Sequence, residues 1–174
     1  MSGTPQGERG DDVPQIHDTC WLAPGAWVVG EATLGPECSV WYNAVIRADD
    51  GPITIGPRTN VQDCAVIHVS RGHPTELGEG VTVGHGAIVH GCTIGANTLI
   101  GMGAIVLDGA VIGRDCVIGA GSLVTQGTVI PDGTLAFGSP ARLVRALDQD
   151  ATEANRAAAD AYVAHALKRR SIAT

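Results

Sequence analysis

The chain contains very few aromatic residues. Phe, Trp and Tyr together make up 3% of its 174 residues, which excludes a conventional core filled by large rings. Basic residues are also scarce, since 11 Lys and Arg stand against 18 Asp and Glu and give a formal net charge of −7. This balance argues against nucleic acid and anionic membrane surfaces as partners. No apolar run approaches the roughly 20 residues of a membrane-spanning helix.

The N-terminal segment lacks the hydrophobic stretch of a secretory signal peptide. Its sequence, MSGTPQGERGDD, is polar throughout. We therefore expect a short leader over residues 1–14 and a cytoplasmic location.

The chain does contain an aliphatic residue at almost every sixth position. A six-residue repeat is typical of β-helix solenoids, in which neighbouring coils supply the core that one short strand cannot form alone. If three repeats make one coil, residues 15–134 form about six coils with the repeated aliphatics facing inward. The members of the series are Ile16, Leu22, Val28, Leu34, Val40, Ile46, Ile55, Val61, Ile67, Leu77, Val83, Ile88, Ile94, Ile100, Val106, Ile112, Ile118, Val124 and Ile130.

Most of the cysteines follow the same repeat. Four of the five lie four residues after a repeated aliphatic, where Ala, Ser or Thr stands in other coils, so we interpret them as core packing: Cys20, Cys38, Cys92 and Cys116. Cys64 is off this position. No Cys-X-X-Cys pair occurs, which leaves little support for a cysteine metal site.

The repeat changes its spacing at three places, and polar residues gather there. Positions that break a local sequence rule are where function or strain is expected. The breaks are an excess of three residues from Ile46 to Ile55, an excess of four from Ile67 to Leu77, and a deficit of one from Val83 to Ile88. The residues beside them are Arg47, Asp49, Asp50, His68, His73, His85 and His90.

The C-terminal part of the sequence has a different character. The segment FGSPARLVR contains Gly and Pro and indicates a turn leaving the coil. Asp150 and Glu153 resemble a capping box, and one helix face is predicted from Ala154, Ala158, Ala161, Tyr162 and His165. We therefore predict a mainly β protein, with a parallel β-helix domain over 15–145 and a C-terminal α-helix over 146–174 that packs on it.

Three histidines near the breaks are candidate metal ligands. His68 and His85 are 17 residues apart, close to one coil, and should lie at similar azimuths. His85 and His90 are separated by about one face of the coil, which is wide for a shared metal within one subunit, although they could meet across a subunit interface. Three His ligands with an open fourth position form a catalytic zinc site. The alternative is a surface or hydrogen-bonding role for each of them.

Three segments resemble the gamma-class carbonic anhydrases and their close relatives. They are VWYNAVIRADDGPITIG, TNVQDCAVIHV and VTVGHGAIVHGCTIGANTLIGMGAIVLDGAVIG, and the resemblance extends over roughly residues 15–145. It implies a left-handed β-helix, a homotrimer, and a metal at each subunit interface. The metal would be zinc, with Co and Fe(II) as alternatives for three imidazoles. The implied activity is reversible hydration of CO2 to bicarbonate through a metal-bound hydroxide.

The resemblance also assigns roles to individual residues. His68 and His90 would bind the metal from one subunit and His85 from its neighbour. Gln62 would hold the metal-bound water, with Asn60 and Asp50 as further catalytic residues. The interface residues would be Arg47, Asp49 and Asp63, with Arg47 paired to Asp63 across the interface. A structural ion-pair network is the alternative for these three residues.

One segment departs from the family pattern. The loop after the first predicted ligand, VSRGHPTELGEG, is short and lacks the acidic extension that carries a proton-shuttling Glu in the founding type. Metal binding is therefore a firmer expectation than fast hydration. The rival functions are a hexapeptide-repeat acyltransferase or thioesterase acting on CoA thioesters, and a non-catalytic metal-binding assembly subunit.

Overall fold

A computed structural model describes residues 13–172, so the predicted leader lies outside it except for Val13 and Pro14. The chain forms a parallel β-solenoid of about seven turns, then a hairpin and one helix. The strands are β1 (Gln15–Ile16), β2 (Trp21–Leu22), β3 (Trp27–Leu34), β4 (Ser39–Val40), β5 (Val45–Ile55), β6 (Asn60–Val61), β7 (Val66–His68), β8 (Thr75–Leu77), β9 (Thr82–Val83), β10 (Ile88–His90), β11 (Thr93–Ile94), β12 (Leu99–Ile100), β13 (Ile105–Val106), β14 (Val111–Ile112), β15 (Val117–Ile118), β16 (Leu123–Val124), β17 (Val129–Ile130), β18 (Thr134–Gly138) and β19 (Ala141–Ala146).

The strands stack into three parallel faces. The first face contains β1, β8, β11, β14, β17 and the second halves of β3 and β5, and the second face contains β2, β4, β6, β9, β12, β15 and β18. The third face contains β7, β10, β13, β16 and the first halves of β3 and β5. The predicted number of six coils is too small. Strand β18 still pairs in parallel with β15, so the solenoid continues past residue 134. The hand of the coil stays a prediction.

The repeated aliphatics fill the interior, as predicted. Ile46, Ile67, Ile100 and Ile118 are each fully buried and stack on their equivalents in adjacent coils. Ile16 is an exception at 38% exposure, because β1 pairs only with β3. The core is therefore a narrow column of β-branched and small side chains, which explains how the chain folds with so few aromatics.

The third predicted break is misplaced by one residue. Val89, not Ile88, is the buried member of the series, and it pairs with Ile67. Ile88 is 37% exposed and points away from the core. The six-residue period therefore continues from Val83 to Val89, and the deficit lies between Val89 and Ile94.

The two predicted insertions are confirmed, and they take different forms. The first is absorbed within the continuous strand β5, beside an irregularity in its pairing with β3. The second is a short loop after β7, closed by a bridge between Ser70 and His73. Both insertions lie where the third face ends.

The C-terminal helix packs on the second face. It is α1 (Gln149–Ile172), and it contacts β2, β4, β6 and β9. The predicted cap at Asp150 is wrong, since Asp148 accepts a hydrogen bond from the backbone N–H of Ala151 at 2.9 Å. Across residues 13–172, the structure contains no helix with the length and apolar character needed to span a bilayer.

The inward face of α1 also differs from the prediction. Asn155, Ala159 and Ala166 are buried, whereas the predicted Ala154 and Ala161 are exposed. Alanines occur on every side of this helix, so the apolar pattern alone does not select a face. The choice follows from Asn155, whose amide donates to two solenoid carbonyls at 3.1 Å each.

An aromatic cluster holds the later part of the helix. Trp21 and Trp41 pack edge to face with ring centroids 4.8 Å apart, and Tyr162 of α1 packs on Trp41 at 5.2 Å. Such pairs add to the area that they bury. Three of the six aromatics of the chain thus form the contact between the later part of α1 and the solenoid.

Candidate metal centre

Two of the predicted ligands face each other across adjacent coils. His68 ends β7 and His90 ends β10, and the two residues are register partners. The distance from His68 Nδ1 to His90 Nε2 is 2.9 Å. The prediction that His68 shares an azimuth with His85 is therefore wrong. The four-residue insertion lengthens this coil, so that 22 residues separate the stacked pair.

A carboxylate holds the other nitrogen of each ring. His68 Nε2 lies 3.0 Å from Asp49 Oδ1, and His90 Nδ1 lies 2.5 Å from Asp108 Oδ1. A ring nitrogen that donates to a carboxylate carries the hydrogen, which leaves the lone pair of a neutral imidazole on the opposite nitrogen. Both lone pairs are thereby directed into the space between His68 Nδ1 and His90 Nε2.

This arrangement fits a metal ion. Zinc–nitrogen bonds of 2.0–2.1 Å in tetrahedral geometry put two ligating nitrogens about 3.3 Å apart, and the observed 2.9 Å is within a few tenths of that separation. Two lone pairs facing each other repel unless a proton or a cation lies between them. Imidazoles whose other ring nitrogen is held by a carboxylate are the arrangement that metal-binding histidines usually have.

Asp49, which contacts His68, lies in β5 at the first insertion. Its carboxylate also contacts the guanidinium of Arg47. Burial acts to raise the pKa of Asp49, but the hydrogen bonds from His68 and Arg47 outweigh it and lower the pKa below its usual range. Asp50 lies alongside, and donor atoms of Asp49, Asp50 and His68 are all within 4.8 Å of one another.

Sequence reasoning missed Asp108. It lies 18 residues after His90, one regular coil later, so the repeat itself held the signal. Burial acts to raise the pKa of this carboxyl, yet the hydrogen bonds from His90 and Ser70 lower it below its usual range. The carboxylate is therefore charged at neutral pH while it holds the ring of His90.

The third predicted ligand lies at a different corner. His85 is in the turn before β10, whereas His90 ends that strand. His85 Nδ1 lies 2.7 Å from Asp63 Oδ2, and the other oxygen of Asp63 accepts a hydrogen bond from the backbone of Tyr42 at 3.2 Å. Within residues 13–172, no cluster of candidate ligands brings His85 together with the facing pair. Its ring is nonetheless held by a carboxylate in the same manner.

A buried amide chain lies close to His85. Gln62 Nε2 donates to Asn60 Oδ1 at 3.1 Å, and Asn60 Nδ2 donates to Thr82 Oγ1 at 2.9 Å. Gln62, Thr82 and His85 line a groove of about 330 Å³, to which Leu99 and Met102 contribute apolar surface. The chain fixes the amide nitrogen of Gln62 and directs its Oε1 away from Asn60.

An apolar ladder separates the two histidine corners. The first residue of the third-face strand in each coil points outward, and these register partners run in the order Trp27, Val45, Val66, Ile88, Ile105 and Leu123. Trp27 is 48% exposed and Ile88 37%, and the other four are half-buried. The face is thus a continuous apolar strip with the His68–His90 pair at one edge and His85 at the other.

Comparisons with known proteins show which proteins this chain resembles. Residues 91–126 match the family described as bacterial transferase hexapeptide (six repeats). A protein of Methanocaldococcus jannaschii named probable carbonic anhydrase is 50% identical over 82% of this chain and 89% of that protein. A carbonic anhydrase of Geobacillus kaustophilus is also 50% identical, over 79% of this chain and 75% of that protein.

Solved structures share the solenoid. A Bacillus cereus protein provisionally named an acetyltransferase matches with a TM-score of 0.92 and 42% identity, covering 94% of this chain and 95% of that chain. A hexapeptide transferase family protein of Anaplasma phagocytophilum matches with a TM-score of 0.86 and 35% identity, covering 89% and 92%. The class is thus the hexapeptide-repeat solenoid proteins. Within it, the chain belongs to the gamma-class carbonic anhydrase family.

Proposed function

We propose that this protein is a zinc-dependent carbonic anhydrase that catalyses the reversible hydration of CO2 to bicarbonate. The observation that carries the proposal is the facing of His68 Nδ1 and His90 Nε2 at 2.9 Å, each ring backed by a carboxylate. His85 is the third ligand, supplied by a second copy of the chain. The names of the similar carbonic anhydrases support the same reaction.

The assembly that completes this site is a homotrimer. The facing pair and His85 lie at opposite edges of the third face, so one subunit cannot bring all three rings to one ion. A head-to-tail contact that closes after three copies joins one edge of each subunit to the other edge of the next. The apolar ladder between the two edges supplies surface to bury in such a contact. In that contact the predicted pairing of Arg47 with Asp63 becomes possible.

The residues around the metal centre have separate roles in the proposed reaction. Zinc at such a site supplies Lewis acidity, which in carbonic anhydrases is known to lower the pKa of water to about 7. Asn60 fixes the amide nitrogen of Gln62, so Gln62 Oε1 accepts a hydrogen bond from the reacting water and orients it. Asp50, exposed beside Asp49, provides a carboxylate toward which a proton can leave.

Proton release is the expected limit on the rate. The loop after His68 is short, and the titratable candidates in it or shortly after it are His73, Glu76 and Glu79. Efficient shuttles need a group whose pKa is close to the working pH. We therefore expect modest hydration that rises with the concentration of a small-molecule buffer such as imidazole.

The test couples metal analysis to a CO2 hydration assay. Purified protein should contain about one zinc per subunit and hydrate CO2, and His68→Ala, His85→Ala and His90→Ala should each lose both properties. His17→Ala is the matched control, because His17 is an exposed residue of the first turn, far along the chain from the centre. Full metal content without hydration at any buffer concentration contradicts the proposal, as does unchanged metal in the His90 variant.

Acyl transfer is the alternative that the same samples can address. The transferase names among the structural relatives refer to proteins with the same solenoid. Turnover of acetyl-CoA that survives removal of the metal would favour that function. The cytoplasmic location stays a prediction; a relative from Arabidopsis thaliana, 40% identical and about twice as long as the matched region, is named mitochondrial.

A further inference from the structure

The four-residue insertion after β7 forms a closed loop at the corner that follows His68. The backbone N–H of His73 donates to the Ser70 carbonyl at 2.9 Å, and Thr75 Oγ1 donates to the carbonyl of His68 at 2.7 Å. These bonds close residues 70–73 into a compact loop tied directly to the strand that ends in His68. The loop is thus a fixed part of this corner.

The loop reaches Asp108, two coils away from the strand that it leaves. The Ser70 side chain lies near enough to the Asp108 carboxylate to lower its pKa, and Asp108 Oδ1 is 2.5 Å from His90 Nδ1. The carboxyl therefore lies between the loop and the ring. It is 23% exposed and the His90 side chain 27%, so water is only partly available to replace either contact.

Gly91 provides the space for this arrangement. A Cβ at Gly91 would lie 2.3 Å from Asp108 Oδ1 and 3.1 Å from the Cβ of His73. The first distance is shorter than real Cβ contacts, and the second is tight enough that His73 would have to move by a few tenths of an ångström. Gly91 also has a φ of +55°, a conformation that glycine adopts without steric cost. The carboxylate of Asp108 and the loop occupy the volume that a side chain would fill.

We propose that Asp108 is the positioning residue for His90, holding its ring with the hydrogen on Nδ1 and with Nε2 directed at His68, and that the loop of residues 70–73 keeps Asp108 in place. The part that concerns zinc rests on the proposed function. The ring orientation is a property of the protein alone. In this proposal, the insertion after β7 acts on the ligand His90 indirectly, through Asp108.

The first experiment needs no metal. Nitrogen-15 NMR of histidine-labelled, zinc-free protein reports which ring nitrogen of His90 carries the hydrogen. We expect the Nδ1–H form in the wild type and a shift toward the Nε2–H form, which free imidazole favours, in Asp108→Ala. Asp132→Ala is the matched control, since this exposed carboxylate pairs with Arg114 outside the site. An unchanged His90 tautomer in Asp108→Ala overturns the proposal.

The second experiment measures zinc affinity by competition with a chromogenic chelator. Asp108→Ala should weaken binding about 10–100-fold, the usual effect of removing a partner of a ligating histidine. Asp108→Asn should weaken it less, because its amide oxygen can still accept the hydrogen bond from Nδ1. If wild type binds no zinc, the proposed function fails while the tautomer result stands. Equal affinity in wild type and Asp108→Ala contradicts the positioning role.

A third pair of variants tests the loop contact. Gly91→Ala intrudes on Asp108, whereas Gly127→Ala has a similar φ of +66° at the same corner with nothing within 4 Å of the added methyl. Both variants place alanine at a positive φ and carry the same kind of backbone strain. Only Gly91→Ala should lower the zinc affinity and shift His90 away from its Nδ1–H tautomer. If Gly91→Ala does not fold, Ser70→Ala serves instead, with a smaller loss in the same direction. Matching behaviour of Gly91→Ala and Gly127→Ala removes the loop from the proposal.

Discussion

Mixing two inactive variants should rebuild the metal site, and the yield can be calculated. His90→Ala removes one member of the facing pair, and His85→Ala removes the ligand at the opposite edge of the third face. In a ring of three subunits, each site takes the facing pair from one chain and His85 from the next. A site is intact only where a His85→Ala chain donates the pair and a His90→Ala chain donates His85.

Random assembly of equal amounts sets the magnitude. The first condition is met in half of the sites and the second in half of those, so about one quarter of all sites are intact. Equivalently, every mixed trimer contains one intact site of three. At a buffered free zinc concentration where neither pure variant holds metal, the mixture should contain about one quarter of the zinc of the wild type.

A second mixture is the control, and it follows from the 2.9 Å contact. His68 and His90 face each other within one chain, so mixing His68→Ala with His90→Ala leaves one of the two missing from every site. This mixture should hold no more zinc than its components. The assay is co-refolding or co-expression, separation of the mixed species, and zinc determination by mass spectrometry.

Two outcomes would refute the reasoning. Zinc restored by the His68 and His90 mixture would mean that the facing pair is not a unit. No zinc above background in the His85 and His90 mixture, with mixed oligomers present, would mean that ligands are not shared between chains.

Three further predictions concern stability and reactivity. Ile112→Asp buries a charge in the narrow core and should lower the free energy of unfolding by several kcal/mol, whereas Val111→Asp, on the same strand and 43% exposed, should melt close to wild type. Asn155→Ala removes two hydrogen bonds between α1 and the solenoid and should cost about 1–3 kcal/mol in thermal or urea unfolding. The Cys38 side chain in the next coil lowers the pKa of Cys20 to about 7 against the opposing effect of burial, so alkylation of Cys20, followed by peptide mapping, should rise through pH 7 as the thiolate forms. Burial raises the pKa of Cys92 to about 12, and this thiol should not react in the native protein.

Much of the fold could be predicted because a solenoid is nearly one-dimensional. Each coil contacts only its neighbours, so a six-residue period in the sequence becomes a period in space. Ile46 and Ile100 are buried for this reason, and the small cysteines at Cys38 and Cys116 are buried with them. The two insertions could also be located, since extra residues between repeated aliphatics have to leave the coil.

The register between adjacent coils could not be predicted fully from the sequence. Ile88 and Val89 are both aliphatic, and only the pairing with Ile67 decides which of them faces inward. The wrong stacking partner for His68 has a different cause. The count of 17 residues from His68 to His85 includes the four-residue insertion, which lengthens that coil and displaces every later residue relative to the coil before it.

What the sequence by itself determined is the period, the composition of the core and the residue types of the site. The tertiary structure decided which of these residues meet. His68 and His90 face each other because one strand stacks on another, and Asp108 joins them because the next coil brings it beneath the loop. The helix face follows from Asn155, which needs buried carbonyl partners that only the assembled solenoid presents. Contacts between coils depend on accumulated register, a property of the whole stack that no single repeat contains.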